Sequence, residues 1–169
     1  MIMNRINKIQ LEKKLIDVFE LVKDAVRINE GRSRAGLMLG LQELGSTEDG
    51  FIGAYYQVAS NIIIMNKTPI RRILETNPKL LEPYSFHILL HEYIHSLGFL
   101  DEEVAKEKTY EITKKYFGGK HIATAFSDNI NKFLPNLIYP IHGWVPMQDS
   151  PEIKLVKGFD KSNVENYIT

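Results

Sequence analysis

The chain contains no cysteine. That absence excludes a disulfide scaffold, a thiol nucleophile, a zinc ribbon and an iron–sulfur site. Any metal must therefore be held by histidines and carboxylates. Net charge is absent as well, because Lys+Arg and Asp+Glu both number 21. A balanced chain exerts no global pull on nucleic acid or an anionic membrane, so neither is expected as a partner. Long apolar runs are missing too. The longest uncharged stretches, Phe51–Asn66 and Phe133–Gln148, are interrupted by Gly, Pro, Gln, Ser or Asn, and neither reads as a membrane span. The N-terminus is charged from Arg5 onward and has no apolar signal region, which gives the expectation of a cytoplasmic protein. There is no internal repeat and no low-complexity tract.

What remains is an ordinary globular composition, 44% hydrophobic and 25% charged over 169 residues. The pattern begins with a long amphipathic helix, Asn7 to Asn29, in which Leu11, Leu15, Val18, Val22 and Ala25 recur at helical spacing before Gly31. A strand-rich block follows: Ala35–Leu44, Phe51–Val58 and Asn61–Met65 are rich in β-branched and aromatic residues. The last two runs are close enough for a hairpin. Ile62–Met65 is apolar on both faces and reads as the more buried strand, with Phe51–Val58 at the edge. Thr68–Glu75 reads as a short helix with Pro69 in its first turn. Tyr84–Gly98 is an apolar helix, and Asp101–Phe117 is a helix with acidic residues first and lysines last. A further helix is expected near Ile122–Phe133. Beyond it, Pro135, Pro140, Pro146 and Pro151 mark an irregular segment, and Leu134–Thr169 is a candidate cover for a cleft.

Within the apolar helix lies His91-Glu92-Tyr93-Ile94-His95, an H-E-x-x-H motif. Residues four apart share a helix face, so both imidazoles can reach one zinc at about 2.0–2.1 Å. Glu92 is rotated by about 100° from His91 and falls beside the metal, where it suits a general base. His87 extends the stripe by one turn. Its ring and that of His95 are separated by about 12 Å of helix rise, too far to share an ion, so His87 reads as a buried hydrogen-bonded histidine.

The longer run His91–Asp101 (HEYIHSLGFLD) resembles the extended zinc motif of the metzincin clan of zincin metallopeptidases, H-E-x-x-H-x-x-G-x-x-H/D. The resemblance implies a glycine turn at Gly98 and a third ligand at Asp101, where most members carry His. It also implies a methionine beneath the metal, for which Met147 is the downstream candidate. Tyr139 and His142 share that segment and are candidate contacts to substrate or to a developing oxyanion. The alternative third ligand is a glutamate from the following helix, on the Glu103, Glu107 and Glu111 stripe, with Glu111 representing it. His121 and His142 are weaker alternatives. Asp101 also opens a helix, where an aspartate is a common N-cap.

The expected fold is α+β and zincin-like. A small mixed or antiparallel sheet of about three to four strands packs on the N-terminal helix and the H-E-x-x-H helix. A helical and irregular C-terminal part follows. The chain is expected to form a single domain over 1–169, with the sheet and active-site helix in 1–100. The expected activity is a zinc-dependent metallopeptidase holding one Zn²⁺ per chain, with a peptide or protein substrate extended along Phe51–Val58. Two rivals stand beside it. One is a catalytically silent or latent zincin-fold binding module. The other is a metal-dependent endoribonuclease of the YbeY type, which shares the ligand spacing but lacks the glutamate of H-E-x-x-H and ends in His.

Overall fold

The computed structural model describes residues 6–47, 50–140 and 152–160. Met147 and His142 lie outside the described residues. The chain opens with α1 (Lys8–Glu30), set by a capping box in which Asn7 and Gln10 exchange side-chain and backbone bonds. One face of α1 buries Leu15, Val18, Phe19, Val22, Ala25 and Val26, which includes most of the helical stripe in the sequence.

Three strands follow: β1 (Met38–Gln42), β2 (Ala54–Tyr56) and β3 (Ile62–Asn66). β3 pairs parallel with β1 and antiparallel with β2. The hairpin is therefore present, with β2 at the edge and β3 inside, as the hydrophobic pattern implies. β2 is much shorter than Phe51–Val58. A turn closed by Ser60 N–H to the Gln57 carbonyl, with Ala59 at φ 64°, takes the chain out of the ladder after Tyr56.

Helix α2 (Lys67–Thr76) starts directly from β3, capped by Asn66. Asn66 is fully buried, and its amide also holds the Leu44 N–H and the Gly45 and Ile52 carbonyls. A short 3-10 turn at Pro78–Leu80 leads into α3 (Leu81–Ser96), against which α1, β2, α4 (Glu102–Phe117) and α5 (Ile122–Asp128) all pack. Nearly every side of α3 is apolar and covered, which is why its sequence lacks a polar stripe. The expected helix to Phe133 instead ends at Asp128. Asn129 breaks it and caps a 3-10 stretch over Ile130–Asn136.

The sheet has a fourth strand within the proline-bearing segment expected to be irregular: β4 (Lys154–Leu155) pairs antiparallel with β1, giving the order β2-β3-β1-β4. The segment behind it belongs to the core. Phe159 stacks on Phe19 at 4.2 Å between ring centres, and Asp160 accepts from Lys23 Nζ at 2.9 Å and from the Gly36 N–H at 3.0 Å. Of the segment expected to cover a cleft, this portion sits at the sheet edge opposite β2 instead. Replacing Phe159 with Ala should cost about 3–5 kcal/mol, read by urea unfolding. A loss under about 1 kcal/mol would place the segment outside the core.

Candidate metal centre

The motif helix ends at a turn that organises the site. Gly98 has φ 105°, and its N–H bonds the His95 carbonyl at 3.0 Å. That backbone conformation is open to glycine and strained for residues with a Cβ. The reversal brings the Phe99 carbonyl back beneath the helix, where it lies 2.7 Å from His95 Nδ1. A carbonyl only accepts, so Nδ1 carries a ring hydrogen, and Nε2 is the nitrogen left to offer a lone pair to a metal. This is the tautomer a metal needs at Nε2.

His95 Nε2 lies 3.1 Å from His91 Nε2 and 2.8 Å from Glu102 Oε1, and His91 Nε2 lies 3.1 Å from Glu102 Oε2. These donor atoms all fall within 4.8 Å of one another. Lone pairs that close repel unless a cation or shared protons lie between them. Ligands on a tetrahedral zinc stand about 3.3 Å apart at the bond lengths usual for His and carboxylate. Spacing and chemistry of the donor set thus fit a metal ion. Burial first, then neighbouring His95, holds the His91 imidazole below its ordinary pKa, in the neutral form that ligates.

The carboxylate that joins the imidazoles is Glu102, one residue beyond the position the motif resemblance implied. Asp101 is the N-cap of α4: its backbone is extended, and its carboxylate accepts from the Val104 N–H at 3.0 Å. With the aspartate committed to the helix end, the first helical residue, whose longer side chain reaches the histidines, completes the cluster. The Asp-Glu-Glu run was the available signal. Reading Asp101 as a cap moves the ligand role to Glu102. Glu111 is exposed on α4, about 13 Å of helix rise from Glu102, and is not part of the cluster.

Glu92 is 8% exposed and projects beside the histidines toward the edge strand. The Tyr56 N–H donates to its carboxylate. Burial nonetheless pushes its pKa up to about 8, and the charge on Glu102 adds to the rise. Two recesses flank the cluster, and Ala54, Glu92 and Glu102 line both. The larger, about 420 Å³, is walled by Phe51, His87, Ile88, Ile130 and Leu134. The smaller, about 200 Å³, is walled by Tyr55, Val58, His95 and Leu100. Gly53, just before β2, packs closely on α3; a Cβ built there would meet Ile88 Cδ1 at 2.6 Å.

The remaining candidates do other work. Tyr139 donates its hydroxyl to Glu75 Oε1 at 3.0 Å and does not line the cleft. His121 caps α5, its Nδ1 accepting from the Ala123 N–H at 3.0 Å. His87 bonds Ser127 Oγ at 3.1 Å but is only half-buried, because its ring forms part of the cleft wall. No family model matches the chain, and no curated protein or solved structure matches it. Among the described residues no helix is long and apolar enough to cross a membrane.

Two substitutions separate the neighbouring acids. Glu102→Ala should lower zinc affinity by at least about tenfold with little change in metal-free stability, since Glu102 is 66% exposed. Asp101→Ala should keep the affinity and cost about 1 kcal/mol of stability. Zinc titration and thermal unfolding of both variants check this; the opposite assignment would return the third-ligand role to Asp101.

Proposed function

We propose that this chain is a zinc-dependent metallopeptidase, with His91, His95 and Glu102 as ligands and Glu92 as general base. The observation that carries the reading is the carbonyl-fixed ring of His95, whose Nε2 faces a second imidazole and a carboxylate beside two surface recesses. Bound there, zinc would supply Lewis acidity for the scissile carbonyl and for water.

The chain's own residues fit the remaining tasks. Asn66 N–H bonds the Gly53 carbonyl across the hairpin, so Gly53 and Tyr55 face β3, whereas Ala54 and Tyr56 turn their backbone groups outward. Glu92 takes the Tyr56 N–H. The Ala54 N–H and carbonyl and the Tyr56 carbonyl face the cleft and suit an extended peptide added to the sheet edge. Glu92 then accepts a proton from the attacking water and passes it to the leaving amine. Its burial favours holding that proton, and its bond to Tyr56 fixes the carboxylate against the strand that binds the peptide. A glutamate so placed favours this reading over the YbeY-type endoribonuclease, as does the chain's charge balance.

Glu92→Gln should retain zinc and reduce peptide hydrolysis by at least about 10³-fold. Hydrolysis at the wild-type rate would remove Glu92 from the mechanism. The same variant should alter the metal-free protein in a pH-dependent way. A carboxyl whose folded pKa is about 8, above its unfolded value of 4.5, takes up a proton on folding between those values, so stability falls as pH rises through that window. Gln removes this dependence. At pH 8 and without metal it should be more stable than wild type by about 1–3 kcal/mol, with the difference vanishing near pH 4.

A further inference from the structure

His87 is the one histidine of the motif helix that the metal cluster does not use. A chain of hydrogen bonds fixes its ring. The Thr113 hydroxyl donates to the Thr109 carbonyl at 2.6 Å. Thr113 Oγ1 therefore accepts from the Ser127 hydroxyl, at 3.3 Å. With its proton directed to Thr113, Ser127 leaves its oxygen, 3.1 Å from His87 Nδ1, to accept the ring hydrogen. That arrangement leaves Nε2 as an acceptor. Nε2 makes no hydrogen bond among the described residues, and the ring forms part of the wall of the larger recess.

We propose that His87 is a specificity-determining residue: its Nε2 accepts a hydrogen bond from an uncharged, donor-bearing substrate side chain (Ser, Thr, Asn or Gln) next to the scissile bond. The inference rests on the peptidase reading for the word substrate, and on the hydrogen-bond chain for the chemistry. Four residues, about 6 Å of helix rise, separate His87 from His91, a span of one to two residues of an extended peptide at about 3.3 Å each. The contact therefore falls on a residue flanking the cleaved bond. A carboxylate has no hydrogen to offer a bare nitrogen. An ammonium or guanidinium would be held by the Glu92 and Glu102 carboxylates of the same recess, opposed by Lys106, ahead of an uncharged imidazole nitrogen. An aliphatic side chain of the same shape would strip Nε2 of water and leave it unpaired, the kind of mismatch that gives a polar site its selectivity.

The test uses the full chain loaded with zinc. Imidazole nitrogen-15 NMR, with His87 assigned by its loss in His87→Leu, should show hydrogen on Nδ1; hydrogen on Nε2 overturns the proposal. In a panel of peptides varied at the residues flanking the cleaved bond, Gln and Thr should exceed Leu and Val by about tenfold in kcat/KM. His87→Leu should level that ratio. Ser127→Ala removes the group that holds the hydrogen on Nδ1, so it should shrink the ratio, and it serves if the leucine variant does not fold. An unchanged ratio in a folded variant overturns the assignment. If wild type cleaves no peptide, the peptidase reading fails alone, and His87 is read by binding. Zinc-directed hydroxamates bearing a Gln-type side chain should then bind about tenfold tighter than those bearing a Leu-type side chain; equal binding overturns the proposal.

Discussion

The hydrogen bond from His95 Nδ1 to the Phe99 carbonyl, 2.7 Å long at the end of α3, governs the rest of the site. It decides which nitrogen of His95 is bare and where that nitrogen points. The bond exists because Gly98 lets the chain reverse at positive φ and return a carbonyl to the helix it has just left. The same reversal starts α4 close enough for its first residue, Glu102, to reach both imidazoles. One turn thus orients one imidazole of the cluster and positions its carboxylate. Orienting contacts of this kind commonly tune a metal site as much as the ligands do.

The second constraint is the contact between α3 and β2. Gly53 permits the approach, and Glu92 takes the Tyr56 N–H. This ties the buried carboxylate to the strand edge and holds it beside the metal cluster. Burying such a group costs stability in the absence of metal, which is seen in its raised pKa. Sites that carry a local cost of this sort are functional candidates, because a fold optimised for stability alone would place an apolar residue there.

The sequence made several of these features legible. The stripe Leu15, Val18, Val22 and Ala25 identified α1, the all-apolar run Ile62–Met65 identified the inner strand, and His91, Glu92 and His95 identified the ligand helix. Each is a local pattern whose period is set by one element. The features that stayed hidden depend on contacts between elements. β4 is two exposed residues with no periodicity of their own, held by pairing with β1 and by Phe159 in the core. The third carboxylate turned on whether Asp101 or Glu102 was free, and the capping of α4 decided that. The bare nitrogen of His87 depends on Thr113 and Ser127, which follow it by many residues in the chain.

Two Nε2 nitrogens of α3 and one carboxylate from α4 are proposed to surround a single ion. X-ray absorption at the zinc edge of the metal-loaded chain tests it most directly. The account predicts one zinc per chain with two imidazole nitrogens and carboxylate or water oxygens at about 2.0–2.2 Å. A shell of oxygens with no imidazole scattering would contradict it.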